Sequence, residues 1–371
     1  MKLIQHRLIF IIVCIYALVA LYVEVKYTQE IRVIIECDQI FKERKEILIK
    51  QQLYNNVIDT SMLLFQTGIN SDRNSDLTLV KNLKNGFKNL SILTLITTFE
   101  TGHDKNSEKA SVYNNTWHNW QILRPRVRLL LFTRNTLPND NADVIYWNLF
   151  PIFHYSVSGV PTVKAMFKQA EELYNTHWYG YCNGDILLTE DILETLEYLS
   201  SISDTFLKTN FLVIGRRINV LNVTSGEVRK INGIKEIARS RGSLYDIDAV
   251  DYFITNRFFP WEKMPEFLIG VSRYNNWIVG HARCDLGIIV IDATETLTAV
   301  YQITMSGGYK QEVPNSIENY NSKLIRRYKL PKRFLQGRTT CAEWKTFRTL
   351  TTGRIELAKR DDLHKECACM K

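Results

Sequence analysis

The chain has 371 residues, 45% of them hydrophobic and 23% charged, which leaves room for one large domain and a smaller segment. This composition excludes a disordered chain, and no internal repeat or low-complexity tract points to a solenoid. The net charge of +8 (47 basic against 39 acidic side chains) suits an anionic ligand and gives no reason to expect nucleic acid.

Leu8 to Val23 is a run of sixteen uncharged, almost wholly apolar residues. As a helix it would span roughly 24 Å, enough for a thin early-secretory membrane. Lys2 and Arg7 precede it and a net −1 follows, so the positive-inside rule puts residues 1–7 in the cytosol and the rest in the lumen. A cleaved signal peptide competes with this reading, but no A-x-A-like site follows the run, which favours an uncleaved type II anchor at 8–23 in the Golgi or ER membrane. Residues 24–88 read as a luminal stem or as a helical part of the main domain. They mix charges at helical spacing and then become Asn/Ser/Asp-rich over Gly68–Asp76.

From Leu90 strands alternate with helices. Strands are expected at Ile92–Thr98, Val127–Phe132, Val144–Trp147, Phe211–Ile214 and Gly287–Asp292, and helices at Ser107–Leu123 and Pro161–Tyr174. In the second helix Val163, Met166, Phe167, Ala170, Leu173 and Tyr174 form the apolar stripe. The alternation predicts an α/β sandwich, Rossmann-like, with a mainly parallel sheet, and ligands in such sheets bind beyond the carboxyl ends of the strands. Thr97, Thr98, Glu100, Asn183 and Asp185 fall at such ends.

The stretch Tyr179-Gly-Tyr-Cys-Asn-Gly-Asp-Ile-Leu-Leu188 organises the rest. Asn183-Gly184-Asp185 is a strong turn signal that fixes a carboxylate at a strand end. Asp185 there either satisfies turn backbone groups or holds a hard divalent cation, which wants oxygen ligands. Thr189-Glu-Asp then opens a helix, the hydroxyl placed to cap it. Arg216 and Arg217 follow a strand, where they meet phosphate or sit in a solvated turn. The aromatic segments Phe258–Glu262 and Phe267–Trp277 read as a loop ending in a helix near Tyr274–Asn276, capped by Asn275 or Asn276. Trp261 and Trp277 are core residues or faces for a stacked sugar ring.

Asn89, Asn114 and Asn222 head N-x-S/T triplets, with Asn114 and Asn222 the better acceptors. Of the seven cysteines, Cys14 lies in the apolar run, leaving six to pair in an oxidising compartment. Cys37 is also placed to link two chains as a dimer. No zinc motif is present. Residues 326–371 form a basic, Cys-containing segment in which Arg326, Arg327, Lys329, Lys332, Arg333 and Arg338 have no acid between Glu318 and Glu343. Such a run meets phosphate or an acidic glycan, or is simply an exposed face.

Taken in order, TLITTF, N-x-T-W-x-N-W, SGVPTVKAMF, YCNGDILL, FLVIGRR, DYFI, FPWEKMPEFLIG, NNW and IIVIDATETLTAVYQ resemble a family of GT-A-type nucleotide-diphospho-sugar transferases, from about Leu90 to Gln302. The resemblance implies a GT-A domain, here 89–325, that uses Mn²⁺ or Mg²⁺ to move a sugar from a nucleotide-sugar donor to a glycan or glycoconjugate. Asn183 and Asp185 stand at the two acidic positions of its D-x-D element, with Asp185 the expected metal ligand. Where relatives commonly show Asp-Asn-Trp, this chain reads Asn275-Asn276-Trp277. An amide is not basic, so an inverting reaction would need Glu262, Glu266 or Asp251 as base. Otherwise the reaction retains configuration, or the domain binds a nucleotide-sugar or glycan without turnover. A glycoside hydrolase would need two opposed carboxylates, and no such pair is recognisable.

Overall fold

The computed structural model describes residues 91–98, 107–133, 148–151, 156–157, 160–203, 210–271, 274–305 and 317–369. All of these fall within the unit Leu77–Lys371. The expected tail, membrane span and stem, together with Cys14, Cys37, Asn89, Glu100 and the strand at 144–147, lie outside the described residues. No helix among the described residues is long and apolar enough to cross a membrane.

Strands β1 (Leu93–Thr98), β2 (Val127–Thr133) and β3 (Asn148–Pro151) pair in parallel, with helix α1 (Glu108–Ile122) between the first two. The chain then crosses back through α2 (Val163–Leu173) to β4 (Trp178–Cys182), which pairs in parallel with the other side of β1. After β5 (Ile186–Leu188) and α3 (Asp191–Ser203) come β6 (Phe211–Ile214) and β7 (Ile218–Leu221). The short helices α4 (Ser225–Arg229) and α5 (Gly233–Arg241) lead to β8 (Tyr252–Asn256). The remaining elements are α6 (Asn275–Cys284), β9 (Ile289–Asp292), β10 (Ala299–Ile303), α7 (Tyr320–Arg327), β11 (Trp344–Arg348) and β12 (Ile355–Lys359).

The main sheet runs β12-β11-β9-β6-β8-β4-β1-β2-β3. It is mainly parallel, as expected. Only β8, between β4 and β6, and the edge strand β12 run against their neighbours. Alternate residues of the central strands face opposite ways. Ile96 and Phe253 enter one core with Phe167, Trp261 and Trp277, whereas Leu93, Leu95 and Ile254 enter the other with Trp117, Trp120 and Leu196.

A second sheet, not foreseen, orders Ser243–Leu244, β7, β10 and β5. Helix α1 holds it by side chains. Asn119 Nδ2 donates to the Leu188 carbonyl at 2.9 Å while its Oδ1 accepts from the Leu188 N–H at 2.7 Å, and Trp120 Nε1 donates to the Ile186 carbonyl at 3.0 Å. These polar groups face inward, which explains why α1 lacks a clean apolar stripe.

Three helix starts differ from expectation. Helix α6 begins at Asn275 with Tyr274 at its N-cap and no side-chain cap, so neither Asn275 nor Asn276 caps it. Helix α2 begins at Val163, capped by Thr162, whose Oγ1 accepts from the Ala165 N–H, so Pro161 lies just before the helix. The Thr189 hydroxyl, expected to cap α3, is buried with no hydrogen-bond partner among the described residues. Residues from 326 onward are continuous with the domain, because β11 pairs in parallel with β9. Disulfides Cys284–Cys369 and Cys341–Cys367 close within the chain, and Cys182 is free and buried.

Candidate functional site

Strand order reverses between β1 and β4. An open α/β sheet leaves a crevice at the carboxyl ends of its strands there. Because β8 runs the other way, its start at Tyr252 sits beside the end of β4 at Cys182, which brings Asp251 to the Asn183–Asp185 turn. The Ile186 N–H donates to the Asn183 carbonyl at 3.2 Å, closing the turn that carries the chain into the second sheet. The Asn183 N–H donates to the Asp251 carbonyl at 3.0 Å, and Asn183 Nδ2 donates to Asp251 Oδ1 at 3.0 Å.

Asp251 Oδ1 also meets Arg217 Nη1 at 2.8 Å. The Arg217 guanidinium lies 4.2 Å from the ring centroid of Tyr245 and 3.8 Å from that of Tyr301, with Nε donating to Asn219 Oδ1 at 3.1 Å. Arg217 is therefore fixed as the counter-charge of Asp251 rather than solvated. Arg216 is also engaged, its Nε donating to the Tyr245 carbonyl at 2.7 Å and its N–H to Thr294 Oγ1 at 2.9 Å. Gly215 precedes them because a Cβ there would sit 2.0 Å from Tyr252 Oη, in a ring that is itself buried. Gly215→Ala should cost about 1–3 kcal/mol through overpacking, read as a lower urea midpoint with unchanged slope.

Two carboxylate oxygens remain. Asp185 Oδ1 and Asp251 Oδ2 are both buried, and neither has a partner among the described residues. The Asp185 carbonyl is taken by Gln302, whose N–H lies 3.2 Å away and Nε2 3.3 Å away. Burial first, then the charge of Asp251, pushes the Asp185 carboxyl up to about 7, with Arg217 opposing. Burial also raises Asp251, against Arg217 and Asn183. A pair of unsatisfied buried oxygens is costly unless a proton or a cation meets it. Among the described residues no group of three or more His, Cys, Asp or Glu side chains gathers as a metal site. Two carboxylates nevertheless fit an ion such as Mg²⁺, which completes its shell with water and phosphate oxygens. Cys182 is no nucleophile, since burial holds its thiol well above the ordinary value.

The other residues singled out in the sequence separate into distinct settings. Thr97 Oγ1 donates to the Cys182 carbonyl at 2.7 Å and ties β1 to β4. Thr98 hydrogen-bonds Tyr181, which bonds Tyr274, so a buried polar chain leads from β1 toward Asp251. Of the two readings of Trp261 and Trp277, core residue or sugar platform, the structure bears out the core reading. Trp261 is 1% exposed and stacks on Phe167 at 3.9 Å, and Trp277 is fully buried with Nε1 donating to the Pro331 carbonyl at 2.7 Å. Asn275 Nδ2 donates to the Val250 carbonyl at 2.9 Å and its Oδ1 accepts from the Asn276 N–H at 3.0 Å, tying α6 to the residue before Asp251. Asn276 Nδ2 donates to the Gly337 carbonyl at 3.3 Å.

Glu262 and Glu266 belong to the contacts around the start of α2. Glu266 accepts from Thr162 Oγ1 at 2.8 Å and pairs with Lys164 at 3.4 Å, and Lys164 also donates to the Glu262 carbonyl at 3.1 Å. Glu171 on α2 has a buried, unpartnered Oε1, and its carboxyl is pushed up to about 7 by burial and then by Glu262. A raised acid weakens the fold as pH climbs from its unfolded value of 4.5 toward 7. Glu171→Gln should therefore flatten part of the fall in melting temperature between pH 5 and pH 8. An unchanged pH profile would contradict that assignment.

Asn114 on α1 and Asn222 after β7 are both exposed. A cavity of about 340 Å³ lined by Asp191, Glu194, Lys235, Arg239, Thr298 and Arg348 involves none of the candidate residues.

No protein-family model and no curated protein matches the chain. Among solved structures, S. aureus TarS 1-349 in complex with UDP-GlcNAc is 11% identical over 35% of this chain and 35% of that one, with a TM-score of 0.24. Glucosyl-3-phosphoglycerate synthase from Mycobacterium tuberculosis, in complex with phosphoglyceric acid, is 9% identical over 65% of this chain and 81% of that one, with a TM-score of 0.31. 4-Diphosphocytidyl-2C-methyl-D-erythritol synthase from Anaerococcus prevotii is 10% identical over 64% and 97%, with a TM-score of 0.26. The chain thus spans about a third of the TarS fragment. At these values the likenesses carry no argument about what this chain does.

Proposed function

We propose that the chain is a GT-A-type glycosyltransferase that moves a sugar from a nucleotide-diphosphate donor to a glycan or glycoconjugate, with Asp185 and Asp251 holding Mn²⁺ or Mg²⁺. The observation that carries this reading is the pair of buried, unpartnered carboxylate oxygens at the strand-order reversal. The sequence resemblance across Leu90–Gln302 supports it independently. A bound cation would neutralise the charge that develops on the departing diphosphate. Asn183 and Arg217 both engage Asp251 Oδ1, so that carboxylate is fixed in place as a ligand rather than free to reach an acceptor hydroxyl. Glu262 and Glu266 then remain as candidate bases, both on the exposed side of their segment.

A second reading, a module that binds donor or glycan without turnover, is favoured by Asn275. Its amide donates to a backbone carbonyl, where a carboxylate would face a like partial charge. To separate the two, the full chain would be incubated with UDP-, GDP- and CMP-sugars, Mn²⁺ and a glycan mixture, following nucleotide release. Transferase activity predicts release with one donor class that Asp251→Asn lowers by on the order of 10²-fold or more, as for loss of a charge-stabilising group. Tight nucleotide binding without release would establish the second reading.

A further inference from the structure

Of the six basic residues between 326 and 338, two are neutralised by ion pairs. Arg333 pairs with Asp285 at 2.5 Å, and Arg338 pairs with Asp248 at 2.5 Å and with Glu366 at 3.2 Å. The other four, Arg326, Arg327, Lys329 and Lys332, are exposed, and Lys323 one turn earlier joins them. Among the described residues none of these five has an ion pair. Arg327 has one further contact, 5.7 Å from the Tyr328 ring centroid.

The local structure explains the clustering. Helix α7 buries Asn321 and Ile325, and Asn321 is anchored by bonds from Nδ2 to the Leu268 and Val271 carbonyls at 3.0 and 2.9 Å. Lys323, Arg326 and Arg327, at i, i+3 and i+4, therefore share the outward face. Lys329, at φ 50°, ends the helix in the left-handed conformation and turns the chain so that Lys332 follows nearby. Tyr328 stands 60% exposed within the patch. Five unneutralised cations around an exposed aromatic, on a helix anchored through Asn321 and Ile325, form a polyanion footprint.

The two disulfides select among polyanions. They tie the segment after this patch to α6 and to itself, and such bonds persist in oxidising compartments. Nucleic acid is not the ambient polyanion there, and the anionic lipid surface is the cytoplasmic leaflet. We infer that the face formed by Lys323, Arg326, Arg327, Lys329 and Lys332 docks a sulfated or uronic-acid-rich glycan. The inference does not depend on turnover at the Asp185–Asp251 pair.

The test is binding of the full chain to heparin over a salt series. It would compare wild type, a patch variant (Arg326→Ser, Arg327→Ser, Lys329→Ser, Lys332→Ser) and a charge-matched control at exposed sites elsewhere (Lys168→Ser, Arg239→Ser, Lys359→Ser, Lys365→Ser). Melting curves confirm that each variant is folded. The expected result is an affinity loss of roughly tenfold or more in the patch variant, with the slope of log K against log salt reduced by about three through lost counterion release. The control should bind like wild type. Equal losses in both variants, no loss in either, or tighter binding to phosphatidylserine vesicles or single-stranded DNA than to heparin would overturn the inference.

Discussion

Replacing Asp185 by asparagine is expected to stabilise the fold at pH 8 and to abolish its response to divalent cation and nucleotide. The stability half of this result follows from burial. The Asp185 carboxyl is pushed from 3.8 up to about 7 in the native chain, chiefly by burial. Between pH about 4 and 7 the native state keeps a proton that the unfolded state has released, so stability falls as pH rises. Each pH step of one across that window costs about 1.4 kcal/mol, so the loss is on the order of 4 kcal/mol by pH 8. Asparagine carries no charge and escapes most of it. Urea melts at pH 4, 6 and 8 in the presence of a chelator should show the variant gaining on wild type as pH rises. A difference independent of pH would mean that burial does not strain this carboxylate.

The second large effect lies at the other end of the chain. Cys284–Cys369 closes a loop of 85 residues and Cys341–Cys367 one of 26. By loop entropy, removing the longer bridge should cost roughly 4–5 kcal/mol and the shorter about 3.5 kcal/mol. The tail they hold matters to the site edge, because Arg360 pairs with Asp292 at the end of β9, and Asp292 Oδ1 accepts from the Thr294 N–H at 3.0 Å. Thr294 in turn receives the Arg216 N–H. Cys284→Ser with Cys369→Ser should lower the melting temperature by on the order of 10 °C. A change under about 2 °C would show that the tail contributes little to the fold.

The central strands were legible because parallel strands buried on both faces are short aliphatic runs, and Leu93–Thr98 and Phe211–Ile214 read that way. The second sheet was not legible. β5 has three residues, pairs antiparallel with the distant β10, and is further held through Leu188 by a helical asparagine, Asn119, 69 positions earlier. The Asn183–Asp185 turn could be read from its own residues, whereas the Asp251–Asn183–Arg217 group could not. It exists because β8 runs antiparallel between two parallel strands, and no local pattern encodes that. The two readings of the tryptophans could not be separated for a related reason. Aromatic density in Phe258–Trp277 is the same whether the rings pack on Phe167 or face a sugar, and only the docking of this loop on α2 decides it.

The most direct measurement of the central claim is the melting of the full chain with UDP, GDP and CMP, each with and without Mn²⁺, in wild type, Asp185→Ala and Asp251→Ala. A ligand that binds only the folded state must raise the midpoint. The expected result is a shift with one nucleotide that requires Mn²⁺ and disappears in both variants. A shift that survives both substitutions, or no shift with any nucleotide, would contradict a cation-dependent donor site at these two carboxylates.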